Sequence, residues 1–229
     1  MIHILNNAGG SDQINSIQYE GVPTDKQKIK MKRSTPLIKI DYSSIVPEPP
    51  VNSSDITKID LEQVQRLTRN LSREDVRLVE IVDEDPEDLF KPYVKRMGLL
   101  YPQELIDVSI DHIDTVLLNL KYKFKRARPI QIAAHLGYVI SVINTDTHDT
   151  PSYPSGHQAQ GAIVAEILSG IYPEHKTKFY EFSRLAGKAR VMQGVHYPSD
   201  SEASLMLARI LWEDMKKNLD DKWTNLIKE

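Results

Sequence analysis

From about Asp60 onward the apolar positions fall into a helical period. Leu61, Val64, Leu67 and Leu71 recur at intervals of three and four, which predicts a helix with one buried face. Ser72 with Asp75 resembles a capping box opening a second helix, Arg73 to about Asp83, and Pro86 suits the first turn of a third. Ile106, Ile110, Ile113, Leu117 and Leu120 then repeat at four, three, four and three, predicting a long amphipathic helix that leads to Lys121. Ile163, Ile167 and Ile171 make a similar stripe. Ser199 with Glu202 is read as the cap of a final helix reaching about Lys217. No strand alternation follows residue 57, so residues 58–229 are expected to be all-α, a bundle of helices packed on helices.

Residues 1–57 have a different texture. Gly9-Gly10, Pro23, Pro36 and Pro47-Glu48-Pro49-Pro50 break any helical period, so this stretch reads as an irregular N-terminal arm. Within it, the alternation of Lys28 to Lys32 predicts an edge strand, and Lys26, Lys28, Lys30, Lys32 and Arg33 form a basic patch. Such an arm is either solvated or a docking element for a partner or second subunit, so a homo-oligomer assembled through it is an expectation. A net charge of -3 gives no global reason to expect nucleic acid or an acidic membrane as partner. The absence of cysteine excludes disulfides and thiolate metal sites. The opening MIHILNNAGG lacks a basic start and an apolar core of export-leader length, and the most apolar stretch, Ile130 to Ile143, is interrupted by Gln131, His135 and Ser141. A soluble, cytoplasmic protein is expected.

Three clusters carry candidate chemistry. In the first, Lys121 and Arg128 lie seven positions apart with Lys125 between. If the helix persists, both cations share a face suited to a phosphate, Arg offering a planar fork and Lys a point charge. The same residues also suit a helix C-terminus. In the second, Pro154-Ser155-Gly156-His157 precedes the apolar helix carrying Ile163. A hydroxyl, a backbone without Cβ and unpaired amides there favour an anion, and His157 beside them exchanges protons near neutral pH; a capping turn with a surface His is the plainer alternative. In the third, Arg190 precedes His196 and Asp200, and a turn that returns Asp200 to the imidazole would leave the other ring nitrogen free to attack. No second ligand pair supports a metal at His196 and Asp200, and Asp146, His148 and Asp149 read as a polar loop.

K-x-x-x-x-x-x-R-P, P-S-G-H and R-x-x-x-x-x-H-x-x-x-D, in that order, resemble the three-part signature of type 2 phosphatidic acid phosphatases, bacterial class A acid phosphatases and vanadium haloperoxidases. The likeness covers about residues 100–215 and is greatest to the soluble class A enzymes. It implies a helical phosphatase domain acting without metal or cofactor on small-molecule phosphate esters. In that reading Lys121, Arg128, Arg190, Ser155 and Gly156 hold the phosphoryl oxygens. His196 is the nucleophile that becomes a phosphohistidine, His157 is the proton donor to the leaving group, and Asp200 orients His196. Vanadate is expected to inhibit; in a haloperoxidase it would instead be the cofactor, and a non-catalytic assembly protein on the same fold is a further alternative. Two departures stand out: Ala189 replaces the Ser that usually precedes the third-motif Arg, and the export leader typical of class A enzymes is not read here. Lys123, Lys125 and Tyr153 either border the entrance or keep ordinary surface roles.

Overall fold

The computed structural model describes residues 8–145 and 147–227, and its regular elements among these are all helical. Ser54 accepts the Thr57 amide and opens α3 (Asp55–Arg69), which buries Leu61 and Val64. Ser72 and Asp75 form the expected reciprocal cap on α4 (Arg73–Glu84). Pro86 starts only a 3-10 turn, Pro86–Leu89, before the short α5 (Lys91–Arg96). The long α6 (Gln103–Phe124) buries Ile106, Ile113, Leu117 and Leu120, the stripe read from the sequence.

This helix stops at Phe124 because Lys125 adopts a left-handed conformation, φ 49°, and donates its amide to the Lys121 carbonyl. Lys121 and Arg128 therefore do not share a helix face as a continuous helix would have placed them. The chain turns between them, and α7 (Pro129–Ala133) begins afterwards. The final long helix, α10 (Pro198–Lys216), starts with Pro198 in its first turn, and the Asp200 carboxylate accepts the Tyr197 amide at 3.0 Å. Ser199 lies inside the helix, so the Ser199–Glu202 cap is not the one used.

The centre of the bundle is α8 (Gly156–Ile171), apolar on nearly every face and packed against α9 (Lys176–Met192), α10 and α6. A Cβ on Gly161 would stand 3.1 Å from that of Ala186, so the bare glycine sets how closely α8 and α9 approach. On the far side of α9 lies α4. The short α11 (Asp221–Thr224) follows α10, and Trp223 packs on the core. No helix among the described residues is long and apolar enough to cross a membrane.

Along the first 57 residues the chain forms α1 (Ala8–Asn15) and α2 (Asp25–Met31) and lies against the bundle. The edge strand expected at Lys28–Lys32 is instead helical. Thr24 and Gln27 cap each other's backbone, and residues three apart, Gln27, Lys30 and Arg33, reach α6, a spacing only a helix provides. Further along, the Lys39 and Ile40 amides donate to Asp214, Tyr153 donates to the Pro47 carbonyl, and Ile38 and Val46 enter the main core.

Candidate active site

Where α6 ends, the chain supplies three buried cations in quick succession, Lys121, Arg126 and Arg128. Lys121, on the last turn, is buried and donates to the Pro151 carbonyl at 2.7 Å, which ties the loop before α8 to α6. Burial first, and the adjoining Arg128 second, push its ammonium well below the usual lysine range. Arg128 is held by the carbonyls of Thr150 (2.9 Å) and Val195 (2.6 Å), so its guanidinium is fixed before any ligand arrives. Burial and the Arg190 charge lower it to about 10, which leaves it cationic at neutral pH.

Gly194 makes the turn between α9 and His196 possible. Its φ is +83°, and a Cβ there would meet the Ser141 carbonyl at 2.8 Å. His196 emerges from this turn buried. Its Nδ1 lies 3.0 Å from Asp200 and its Nε2 3.1 Å from Arg128. Arginine is donor-only, so Nε2 accepts and Nδ1–H donates to the carboxylate. Burial, then the Arg128 charge, drive His196 well below its ordinary range, so the lone pair on Nε2 persists at acidic pH. Burial alone would raise Asp200, but the Arg126 charge and the hydrogen bonds from His196 and Ser152 outweigh it and hold the carboxyl well below the usual range.

Arg126 is a residue the sequence reading passed over. Its guanidinium stacks 3.9 Å over the Tyr197 ring, donates to Asp200 at 2.6 Å and to Ser199 at 2.8 Å, and stands 3.6 Å from Asp60 on α3. Asp83, at the end of α4, is the second omission. It accepts from Arg190, Thr145 and Thr147, and these bonds overcome burial to hold its carboxyl at about 2. Neither carries a local signature: each is recognised only by a partner many tens of residues away. Nothing local distinguishes Arg126 among the basic residues from Lys121 to Arg128, and Asp83 stands out only as the expected end of a helix.

The second motif sits at the start of α8. Ser155 is its N-cap residue, fully buried, and its hydroxyl has no hydrogen-bond partner among the described residues. His157 points its Nε2 towards the Asp83 carbonyl at 3.4 Å, and burial followed by the Arg190 charge lowers it to about 3. Arg190 is buried and paired with Asp83. Ala189, in place of the familiar serine, packs with Val79, Val82 and Met192.

A cavity of about 340 Å³ is lined by Lys121, Arg128, Gly156, His157 and His196. All three motifs thus converge, with Ser155, Arg190 and Asp200 immediately behind the lining. The residues considered for the entrance are elsewhere: Lys123 donates to the Ser43 carbonyl, Tyr153 is buried and Lys125 is exposed beside residues 16–20. The mouth is bordered instead by Thr24, Lys26, Gln27 and Lys30 from α2. Among the described residues no three acidic or histidine side chains form a group able to hold a metal; Asp146 lies outside them.

Residues 110–213 match the model of the PAP2 superfamily. A non-specific acid phosphatase of Providencia stuartii is 28% identical over 182 residues, covering 74% of this chain and 71% of that protein. Among solved structures, a transmembrane PAP2 type phosphatidylglycerolphosphate phosphatase of Bacillus subtilis superposes with a TM-score of 0.51 at 18% identity, over 72% of this chain and 87% of that one. A bacterial vanadium dependent iodoperoxidase gives 0.60 at 15% identity, over 80% and 53%. The resemblance drawn from the motifs and the all-α fold class are both borne out.

Proposed function

We propose that this chain, similar to the PAP2 superfamily in motif and fold, is a phosphomonoesterase that works through a phosphohistidine on His196. The observation that carries the reading is the buried Asp200–His196–Arg128 line, with Nδ1 held by the carboxylate and Nε2 turned to a guanidinium on the wall of the cationic cavity. The PAP2 match and the acid phosphatase relative support the phosphatase class; the residue roles below are inferred from geometry and chemistry.

A phosphoryl group entering the cavity draws the Arg128 Nη1 donor from Nε2 to its own oxygens and so frees the lone pair. Lys121, Arg128 and Arg190, with the Ser155 hydroxyl and Gly156 amide, offset the charge of the transferring group. The phosphate dianion offsets the Arg190 and Lys121 charges that help hold His157 neutral, so His157 takes up a proton as substrate binds. Nε2 then attacks phosphorus, the P–O bond to the leaving group breaks, and His157 delivers that proton to the departing oxygen. His196 becomes cationic as its phosphorylated ring keeps the Nδ1 proton, and Asp200 stabilises that charge. Water then gives a proton to His157 and attacks phosphorus, releasing orthophosphate and restoring neutral His196 and protonated His157. No step calls for a metal, and an oxyanion such as vanadate, able to adopt the geometry of the transition state, is expected to compete for the cavity.

Hydrolysis of p-nitrophenyl phosphate with EDTA present tests this. Wild type should turn over and be inhibited by vanadate, and His196→Ala should be nearly inactive. His157→Ala should lose roughly 100-fold to 10,000-fold, the range for one proton-transfer group. Full turnover by a folded His196→Ala protein would end the nucleophile assignment. Bromide oxidation by the vanadate-loaded protein without ester hydrolysis would move it to the haloperoxidase chemistry.

A further inference from the structure

The phosphate end of the cavity accounts for Lys121, Arg128, His157 and His196, but the outer end is built from a part of the chain that lies outside the motifs and outside the PAP2 match. There α2 runs antiparallel to α6. Lys30 pairs with Asp114, the Lys30 carbonyl accepts from Thr115, the Met31 carbonyl accepts from Asn119, and Gln27 accepts from Tyr122 at 2.9 Å. Arg33 closes the seam with two 3.0 Å bonds to Asp111. These contacts fix α2 as a wall.

The charges on that wall are unequal. Asp114, the one carboxylate among the described residues that line the cavity, is occupied on both oxygens, by Lys30 on one and Gln160 on the other. Lys26 lines the same cavity, is exposed, and has no ion pair among the described residues. Beside α2, α6 adds an apolar stretch to the lining from Leu117 and Leu118. Among the described residues, a leaving group in this space therefore meets a hydrophobic side and one uncommitted ammonium, with no free carboxylate lining the cavity to repel an anion.

We propose that α2 forms the leaving-group subsite and that Lys26 selects phosphomonoesters whose leaving group carries a second negative charge. The proposal rests on the phosphomonoesterase reading for its substrate class. Because the ammonium is solvent-accessible, its contribution is that of a surface ion pair, a modest and salt-sensitive preference.

The test compares phenyl phosphate with 4-carboxyphenyl phosphate, which differ by the added anion. In wild type relative to Lys26→Ala, the ratio of kcat/KM for the carboxylated over the plain ester should be about two- to fivefold higher, with a larger change for Lys26→Glu. Raising the salt to 0.5 M should erase the difference. Lys28→Ala, which removes an equal charge from a residue outside the cavity and paired with Asp25, should leave the ratio unchanged. An unchanged ratio in Lys26→Ala and Lys26→Glu, or an equal change in Lys28→Ala, overturns the proposal. Calorimetric binding of phenylphosphonate and 4-phosphonobenzoate makes the same comparison without turnover. If wild type hydrolyses neither ester yet binds the second phosphonate more tightly through Lys26, the subsite stands and the catalytic reading falls. If it binds neither, both fall.

Discussion

Arg126 joins the candidate nucleophile to the rest of the protein. It does not line the cavity, yet it is the cation that faces two buried carboxylates, Asp200 and Asp60, and its guanidinium lies over the Tyr197 ring. Burial drives Asp60 upward against the opposing hydrogen bond from Ser199 and the Arg126 charge, so that carboxyl is already the weaker anion of the two. Removing the guanidinium would leave Asp200 without its strongest partner inside the fold, and breaking a buried pair in this way typically costs about 3–5 kcal/mol. Arg126→Ala should therefore lower the urea midpoint of unfolding sharply. Arg126→Lys should recover only part of the loss, since an ammonium neither stacks on the tyrosine ring nor spans Ser199 and Asp200 together. Unfolding curves of the three proteins decide this, and an Arg126→Ala midpoint equal to wild type would show that Asp200 is balanced by other groups.

Helix positions were legible wherever a stripe had one buried face or a cap had a local signature: α3 and α6 lie where Leu61, Ile106 and their repeats put them, and α4 where Ser72 and Asp75 open it. Helix ends were less so, because they depend on single residues with unusual backbone geometry. Lys125 stops α6 in a left-handed conformation that lysine does not advertise, and with that stop the shared face for Lys121 and Arg128 is lost even though both reach the cavity. Likewise Lys28–Lys32 alternates like a strand, but the Thr24–Gln27 cap and contacts with α6, some eighty residues away, favour a helix there. The three motifs were legible because each is local. Arg126 and Asp83 were not, because their partners come from other elements. Gly194 is the end whose geometry matters most to the site, as it turns the chain from α9 into His196. Gly194→Ala should cost about 1–2 kcal/mol for the left-handed conformation alone, with more from the 2.8 Å approach of the Ser141 carbonyl. Thermal unfolding should register this, and turnover should fall as well if the turn is what aims Nε2. An alanine variant with wild-type melting would mean that α9 and the Ser141 segment can separate without penalty.

Taken as one charged body, the protein gathers Lys121, Arg128 and Arg190 around the buried His196 and the half-buried His157, and this sets how its stability responds to acid. His157 is held down to about 3 and His196 is lowered as well, whereas an unfolded histidine takes up its proton near 6.5. Below about pH 6.5 the unfolded chain therefore binds more protons than the folded one, and stability must fall as the pH falls. Asp83 and Asp200 act in the same direction lower down: their carboxyls are depressed in the fold, so the stability they add is present above about pH 4 and is lost as the pH drops towards 2. Between pH 7 and pH 4.5 the histidines dominate, and His157 alone is worth on the order of 2 kcal/mol over that interval. The urea midpoint of the ligand-free protein should decline across it, and His157→Gln, which has nothing to protonate, should flatten part of the slope. Inorganic phosphate should flatten it too, because an anion in the cavity offsets the Arg190 and Lys121 charges that help suppress His157 and lets it take up a proton in the folded state. A midpoint that holds steady from pH 7 to pH 4.5 without phosphate would mean that the imidazoles are not held neutral by their cationic surroundings, and with that would go the argument that Nε2 of His196 stays free to attack in acid.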